Sequence, residues 1–137
     1  ELQQLLEQWP DVAARSSLLG HRSDVADVLA AADIFVFPSL FEGMPGAVIE
    51  AMAAGLPIIA SDIAPVRDVV EINGNAAVVP PRSGAELANA IDSLLDDPAR
   101  ATGMGRRSRE LFEDRFTMQR SVDGFLELYQ ALVDRKL

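Results

Sequence analysis

The sequence predicts an α/β domain built on a parallel sheet, and three observations carry that prediction. Short apolar runs at 34–37, 57–60 and 76–79 are separated by helical stretches, the alternation that right-handed parallel crossovers require. Each run is continuous rather than alternating, as in strands buried on both faces. A turn rich in Gly and Pro follows the first run and opens an apolar helix. With 137 residues, 49% of them apolar, the chain fits one domain with a filled core and does not have the composition of a disordered one.

Taken in order, Leu2, Leu5, Leu6 and Trp9 lie at helical spacing and stop at Pro10, which predicts a short first helix. Ser17-Leu18-Leu19 before Gly20 suits a short strand. Ser23 is expected to cap a helix whose stripe is Val25, Val28, Leu29 and Ala32. Ile34-Phe35-Val36-Phe37, closed by Pro38, is a buried strand, and the turn over 40–46 leads to a helix over 47–54 that ends at Gly55 and Pro57. A strand over 57–60, a short helix over 65–70, the turn Asn73-Gly74-Asn75 and a strand over 76–79 follow. Ser83-Gly84-Ala85-Glu86 reads as a capping box, with Leu87, Ala90, Ile91, Leu94 and Leu95 as its core stripe. Asp97-Pro98 starts the next helix and Thr117 caps the last, whose Val122, Phe125, Leu126, Tyr129, Leu132 and Val133 are expected to turn inward. One domain thus covers 1–137, with C-terminal helices over 98–137.

A net charge of −9 argues against a nucleic-acid surface, because phosphate backbones are held by Lys and Arg. The absence of cysteine excludes a disulfide framework, a thiolate zinc site and a Cys nucleophile. No apolar run approaches the roughly 20 residues that span a bilayer. Opening on Glu1 rather than Met, the chain is expected to be a piece of a longer one. Residues 1–97 hold 4 basic and 15 acidic side chains, whereas 98–137 hold 8 and 6, so the tail differs in kind. There Arg106, Arg107 and Arg109 interleave with Glu110, Glu113 and Asp114 at helical spacing, which reads as a solvated helix face rather than an anion patch.

The chemistry is expected where the strand ending at Phe37 meets the helix starting near Pro45 or Gly46. A loop after a parallel strand, carrying Glu42 and two glycines, aims backbone N–H groups and the positive end of a helix dipole at the crevice beyond the sheet. Such a place suits a diphosphate, and glycine lets it approach the main chain. Glu50 is a charge inside a helix otherwise made of Ala, Val, Ile and Met. It either accepts hydrogen bonds from adjacent ribose hydroxyls or reaches solvent or a local Arg from the helix edge.

Glu42 and Glu50 form an E-x7-E pair inside an ordered context. Ala32-Asp33-Ile34-Phe35-Val36-Phe37-Pro38-Ser39 precedes it, and Ala51-Met52-Ala53-Ala54-Gly55-Leu56-Pro57-Ile58-Ile59-Ala60-Ser61-Asp62 follows. Gly74-Asn75 then stands before Val78-Val79-Pro80-Pro81. From about Gly20 to its C-terminus the chain closely resembles the donor-binding domain of the family-4 retaining glycosyltransferases, which have the GT-B fold. The resemblance implies a partial Rossmann-like sheet whose runs, with 17–19 included, correspond to strands 3 to 6 of the order 3-2-1-4-5-6.

It also implies roles. Glu42 contacts the transferred sugar and is the catalytic candidate. The turn residues Gly43, Met44, Gly46 and Ala47 offer backbone donors to sugar and phosphate, and Glu50 holds the ribose. Many members have Phe-Gly after the Glu-Gly pair, whereas this chain has Met44-Pro45, and Pro45 lacks an N–H. The partners implied are a nucleotide-diphosphate sugar, an unidentified acceptor and an acceptor-binding N-terminal domain outside these residues. No nucleic acid, metal or other cofactor is expected, and the location implied is cytoplasmic, with membrane contact only through that further domain. The family takes an Arg and a Lys for the diphosphate from a part of the domain absent here. The nearest local cations, Arg22 and Arg67, read as surface residues, and His21 stands without a triad or metal partner.

Two other function classes compete with the glycosyltransferase: a nucleotide-binding module without turnover, and a fragment like the nonhydrolysing sugar-nucleotide epimerases. Because strands 1 and 2 are missing between 17–19 and 34–37, the chain alone is expected to leave strand edges open. It should therefore pair edges, swap strands or belong to a longer chain, and should bind donor poorly by itself.

Overall fold

A computed structural model describes residues 2–135, and at its centre lie three short parallel strands. They are β1 (Phe35–Phe37), β2 (Ile58–Ser61) and β3 (Ala76–Val79), in the order β1-β2-β3. Phe35 pairs with Ile58, and Ile58 with Ala76. β2 is buried along its whole length because it has a strand on each side, whereas β1, expected to be fully buried, is half-buried as an edge. Alternate residues of β2 serve opposite faces. Ile58 and Ala60 join Leu29, Val48, Met52, Val66 and Leu111 in one core, and Ile59 joins Leu94 and Met104 in the other.

Helices α3 (Val25–Ala30), α4 (Gly46–Ala53), α5 (Ala64–Val69), α6 (Gly84–Leu95), α7 (Pro98–Arg115) and α8 (Met118–Asp134) follow the predicted order. α4 ends on Gly55 in the left-handed conformation, φ +75°, where a side chain would be strained. Arg109 of α7 donates to the carbonyl of Ala53 at 2.6 Å, a cation at the negative end of α4. Two tail arginines pair along the helix at the predicted spacing, Arg107 with Glu110 and Arg109 with Glu113, and Arg107 also reaches Glu71, distant in the chain. Asp97 caps α7 by accepting from the Arg100 N–H at 2.9 Å, and Thr117 caps α8 by accepting from Arg120 at 3.3 Å.

Several expectations are corrected. No strand forms at 17–19, and Leu18 and Leu19 are exposed. A strand needs a neighbour to take its N–H and C=O groups, and among the described residues none of the three strands lies beside this segment. The short first helix ends before Pro10 as expected, α1 (Leu2–Glu7), and a further turn of helix that was not expected, α2 (Pro10–Ala13), begins at Pro10, which suits a first helical position. Leu2, Leu5 and Trp9 are exposed. On α8 the stripe of Val122, Phe125, Leu126, Tyr129, Leu132 and Val133 does not turn inward, and no residue of the helix is buried. Periodicity specifies an apolar face, not what covers it. Asp24, not Ser23, holds the N-cap position of α3, and Ser83 stands at the N-cap of α6 without a side-chain bond to it.

Candidate functional site

The site is assembled by the β1–α4 connection. β1 delivers the chain to Pro38 beyond the carboxyl end of the sheet, and α4 carries it back from Gly46. Between them Glu42 is half-buried and accepts a hydrogen bond from the Ser39 hydroxyl at 2.6 Å. Phe41 and Met44 flank it with 89% and 71% of their surface exposed, so the loop projects into open space.

The first-turn amides of α4 are only partly free. Gly46 donates to the Met44 carbonyl at 2.9 Å and Val48 to the Pro45 carbonyl at 3.0 Å, so the Gly46 N–H expected for a ligand is already engaged. Pro45 is buried and brings no N–H. The amides of Gly43, Met44 and Ala47 find no acceptor among the described residues. Neither Gly43 nor Gly46 has a positive φ, and a Cβ on either would meet nothing within 4 Å. Glycine is thus required there neither by the backbone nor by a packed neighbour; what it leaves clear is the space over the loop.

Glu50 lies four residues beyond Gly46, about 6 Å along the helix axis. It is exposed, makes no ion pair among the described residues, and lines a groove of about 500 Å³ between α3 and α4. The rest of that groove is mostly apolar, with Val25, Ala26, Leu29 and Ala53 in its walls. A flat apolar ring with a hydroxylated neighbour matches such a slot, the ring against the aliphatic walls and the hydroxyls at the carboxylate. A larger groove of about 620 Å³ opens at the amino ends of the strands, beside Ile34, Pro57 and Leu94, away from the Glu42 loop.

Arg22, in the loop before α3, and Arg67, on α5, are not free. Arg22 donates from Nε to Asp24 at 2.8 Å and pairs with it through a second nitrogen, and Arg67 pairs in the same two-pronged way with Asp62. The Arg22 guanidinium beside Asp24 holds that carboxyl below its usual 3.8, and Arg67 does the same for Asp62. His21 is exposed beside Gly20, which has φ +64°. The structure therefore gathers Glu42, Gly43, Met44, Gly46 and Ala47 on one connection and Glu50 further along α4, and it leaves Arg22, Arg67 and His21 outside that group. The contact of Ser39 with Glu42 was missed by sequence reasoning. The available signal was a hydroxyl residue three positions before a carboxylate in a turn.

Residues 1–97 match the family described as glycosyl transferases group 1. Over 130 residues, 89% of this chain, the chain is 36% identical to the UDP-Gal:alpha-D-GlcNAc-diphosphoundecaprenol alpha-1,3-galactosyltransferase of Escherichia coli. It is 32% identical to the MMP alpha-(1->4)-mannosyltransferase of Mycolicibacterium hassiacum over 91% of its length. These matches cover 31% and 30% of the two relatives, so the chain spans about a third of their length. Among solved structures, sucrose-phosphate synthase from Thermosynechococcus elongatus superposes with a TM-score of 0.89 at 30% identity, covering 98% of this chain and 34% of that one. HepE of Anabaena, in complex with UDP, superposes at 0.88 over 95% of this chain and 36% of that one; at 23% identity that likeness speaks for the fold. With the family model matched over most of its length and a relative 36% identical over 89% of it, the chain belongs to the group 1 glycosyl transferases.

Proposed function

We propose that this chain forms the donor side of a retaining glycosyltransferase, which moves a sugar from a nucleotide diphosphate to an acceptor hydroxyl. Glu42 faces the transferred sugar, the amides of Gly43, Met44 and Ala47 take the sugar and phosphate oxygens, and Glu50 accepts from the ribose hydroxyls. The nucleoside lies in the groove between α3 and α4. Transfer is front-face: the leaving diphosphate oxygen accepts the acceptor's proton as the new glycosidic bond forms, so stabilising that leaving group is the main catalytic demand. No metal or other cofactor takes part, the acceptor is held by a further N-terminal domain, and the enzyme works on the cytoplasmic side. The epimerase alternative loses its ground with the family match.

The observation that carries this proposal is the clearance at the β1–α4 connection. Two glycines without conformational need of being glycine stand beside unbonded amides and a held carboxylate. In the full-length protein, Glu50→Ala should weaken nucleoside diphosphate binding by about tenfold or more, since a hydrogen bond to a charged group contributes about 1.5–3 kcal/mol, and Glu50→Gln should retain part of it. Glu42→Ala should reduce transfer far more than nucleoside diphosphate affinity. Calorimetric affinity unchanged by Glu50→Ala, or equal losses from Glu42→Ala in both assays, would count against the assignment.

One observation favours the second reading, a binding module without turnover. Arg22 and Arg67 are paired with Asp24 and Asp62, which leaves neither to balance a diphosphate. Sugar transfer by the full-length protein decides between the two.

A further inference from the structure

We infer that Ser39 is a positioning residue for Glu42, fixing where the carboxylate stands over the open loop. This rests on the proposed role of Glu42 at the transferred sugar. The Ser39 hydroxyl lies 2.6 Å from Glu42 Oε1 and 3.2 Å from the carbonyl of Phe41. A hydroxyl has one proton to give, and the shorter, charge-assisted contact takes it, so the carboxylate is the partner that holds it.

No other side-chain hydrogen bond holds Glu42 among the described residues. Among the described residues no cation pairs with it, and its neighbours Phe41 and Met44 project outward with most of their surface exposed. A glutamate has three side-chain torsions, and without a tether its carboxylate samples several wells. Ser39 itself is anchored better, two residues beyond β1 and half-buried, so it carries the rigidity of the sheet into the loop. One oxygen of Glu42 is engaged by this bond and the other is left to face a ligand. A sugar hydroxyl then meets an acceptor already in place, and the ordering cost is met during folding rather than at binding.

The full-length protein with Ser39→Ala, Ser39→Thr, Glu42→Ala and the Ser39→Ala/Glu42→Ala pair tests this by sugar transfer and by calorimetry with the nucleoside diphosphate. Ser39→Ala should lower kcat by about tenfold while nucleoside diphosphate affinity stays within about twofold, and Ser39→Thr, which keeps the hydroxyl, should recover most of the rate. The double variant should be no slower than Glu42→Ala alone, because a residue that acts through Glu42 has nothing left to position. Wild-type kcat in Ser39→Ala beside a slow Glu42→Ala would overturn the role of Ser39 and leave that of Glu42 standing. A further tenfold loss in the double variant would do the same. Full transfer by Glu42→Ala would instead sink the assignment of Glu42, and this one with it.

Discussion

Asn75 donates from Nδ2 to the Ser108 hydroxyl at 3.1 Å, and both side chains are completely buried. Ser108 passes its own proton to the carbonyl of Leu56 at 2.6 Å, while Asn75 Oδ1 accepts from the Glu71 N–H at 2.7 Å. This chain of bonds ties the turn before β3 to α7 and to the segment between α4 and β2, so it holds in place the far end of the helix that carries Glu50. No buried side-chain nitrogen or oxygen lacks a partner among the described residues, which is the condition under which an interior polar network stabilises.

Asn75→Ala should therefore destabilise the fold by about 2–3 kcal/mol, because it strands the Glu71 N–H and leaves the Ser108 hydroxyl one partner short. Ser108→Ala should cost about 1–3 kcal/mol by leaving the Leu56 carbonyl unpaired. Urea unfolding midpoints check both. Midpoints equal to that of the parent would mean that the network contributes nothing.

Two glycines of α7 should respond to alanine with opposite signs. A Cβ on Gly105 would lie 2.3 Å from the Gly55 carbonyl oxygen, so α4 and α7 would have to move apart, at a cost of about 1–3 kcal/mol. A Cβ on Gly103 meets nothing within 4 Å, and Gly103→Ala should stabilise by up to about 1 kcal/mol through helix propensity. Thermal melts of the two variants separate the effects, and a stable Gly105→Ala would show that the helices do not touch there.

Asp62 should titrate below its usual 3.8 because the Arg67 guanidinium favours the ionised form. The folded value is the lower one, so the contribution of the pair is present above the unfolded value and is lost as pH falls through the folded value, below 3.8. Arg67→Gln should bring the Asp62 titration, followed by carboxyl-carbon NMR, back up toward 3.8, and salt should weaken the pair because it is exposed. Asp24 should behave in the same way toward Arg22. An Asp62 titration indifferent to Arg67→Gln would mean that the pair does not persist in solution.

Residues 1–137 expressed by themselves should self-associate. The uncovered stripe on α8, with Phe125 60%, Tyr129 63% and Val133 56% exposed, is an apolar face of the kind that finds a partner, and β1 leaves one sheet edge open. Phe125→Gln with Tyr129→Gln should shift light scattering toward the monomer. A monomer before any substitution would remove the basis for this expectation.

Local rules settled much of this protein from the sequence. Continuous apolar runs placed β1, β2 and β3 to within a residue or so, because a parallel strand between layers of helices takes apolar residues at successive positions. Gly55, Asp97 and Thr117 marked helix ends through backbone conformation and capping, which depend on a few neighbouring residues. The E-x7-E pair with its flanking glycines singled out the β1–α4 connection as the candidate site. Partners distant in the chain were decided by tertiary structure alone. Leu18 and Leu19 have the composition of a strand but no neighbour to bond, and the α8 stripe has the period of a core helix but no surface across it. Arg22 and Arg67 were legible as surface cations, and only the folded backbone shows them closed onto Asp24 and Asp62. Gly105 against Gly55 and Asn75 against Ser108 join residues 50 and 33 positions apart, contacts that no local periodicity encodes because they exist only once the helices have packed.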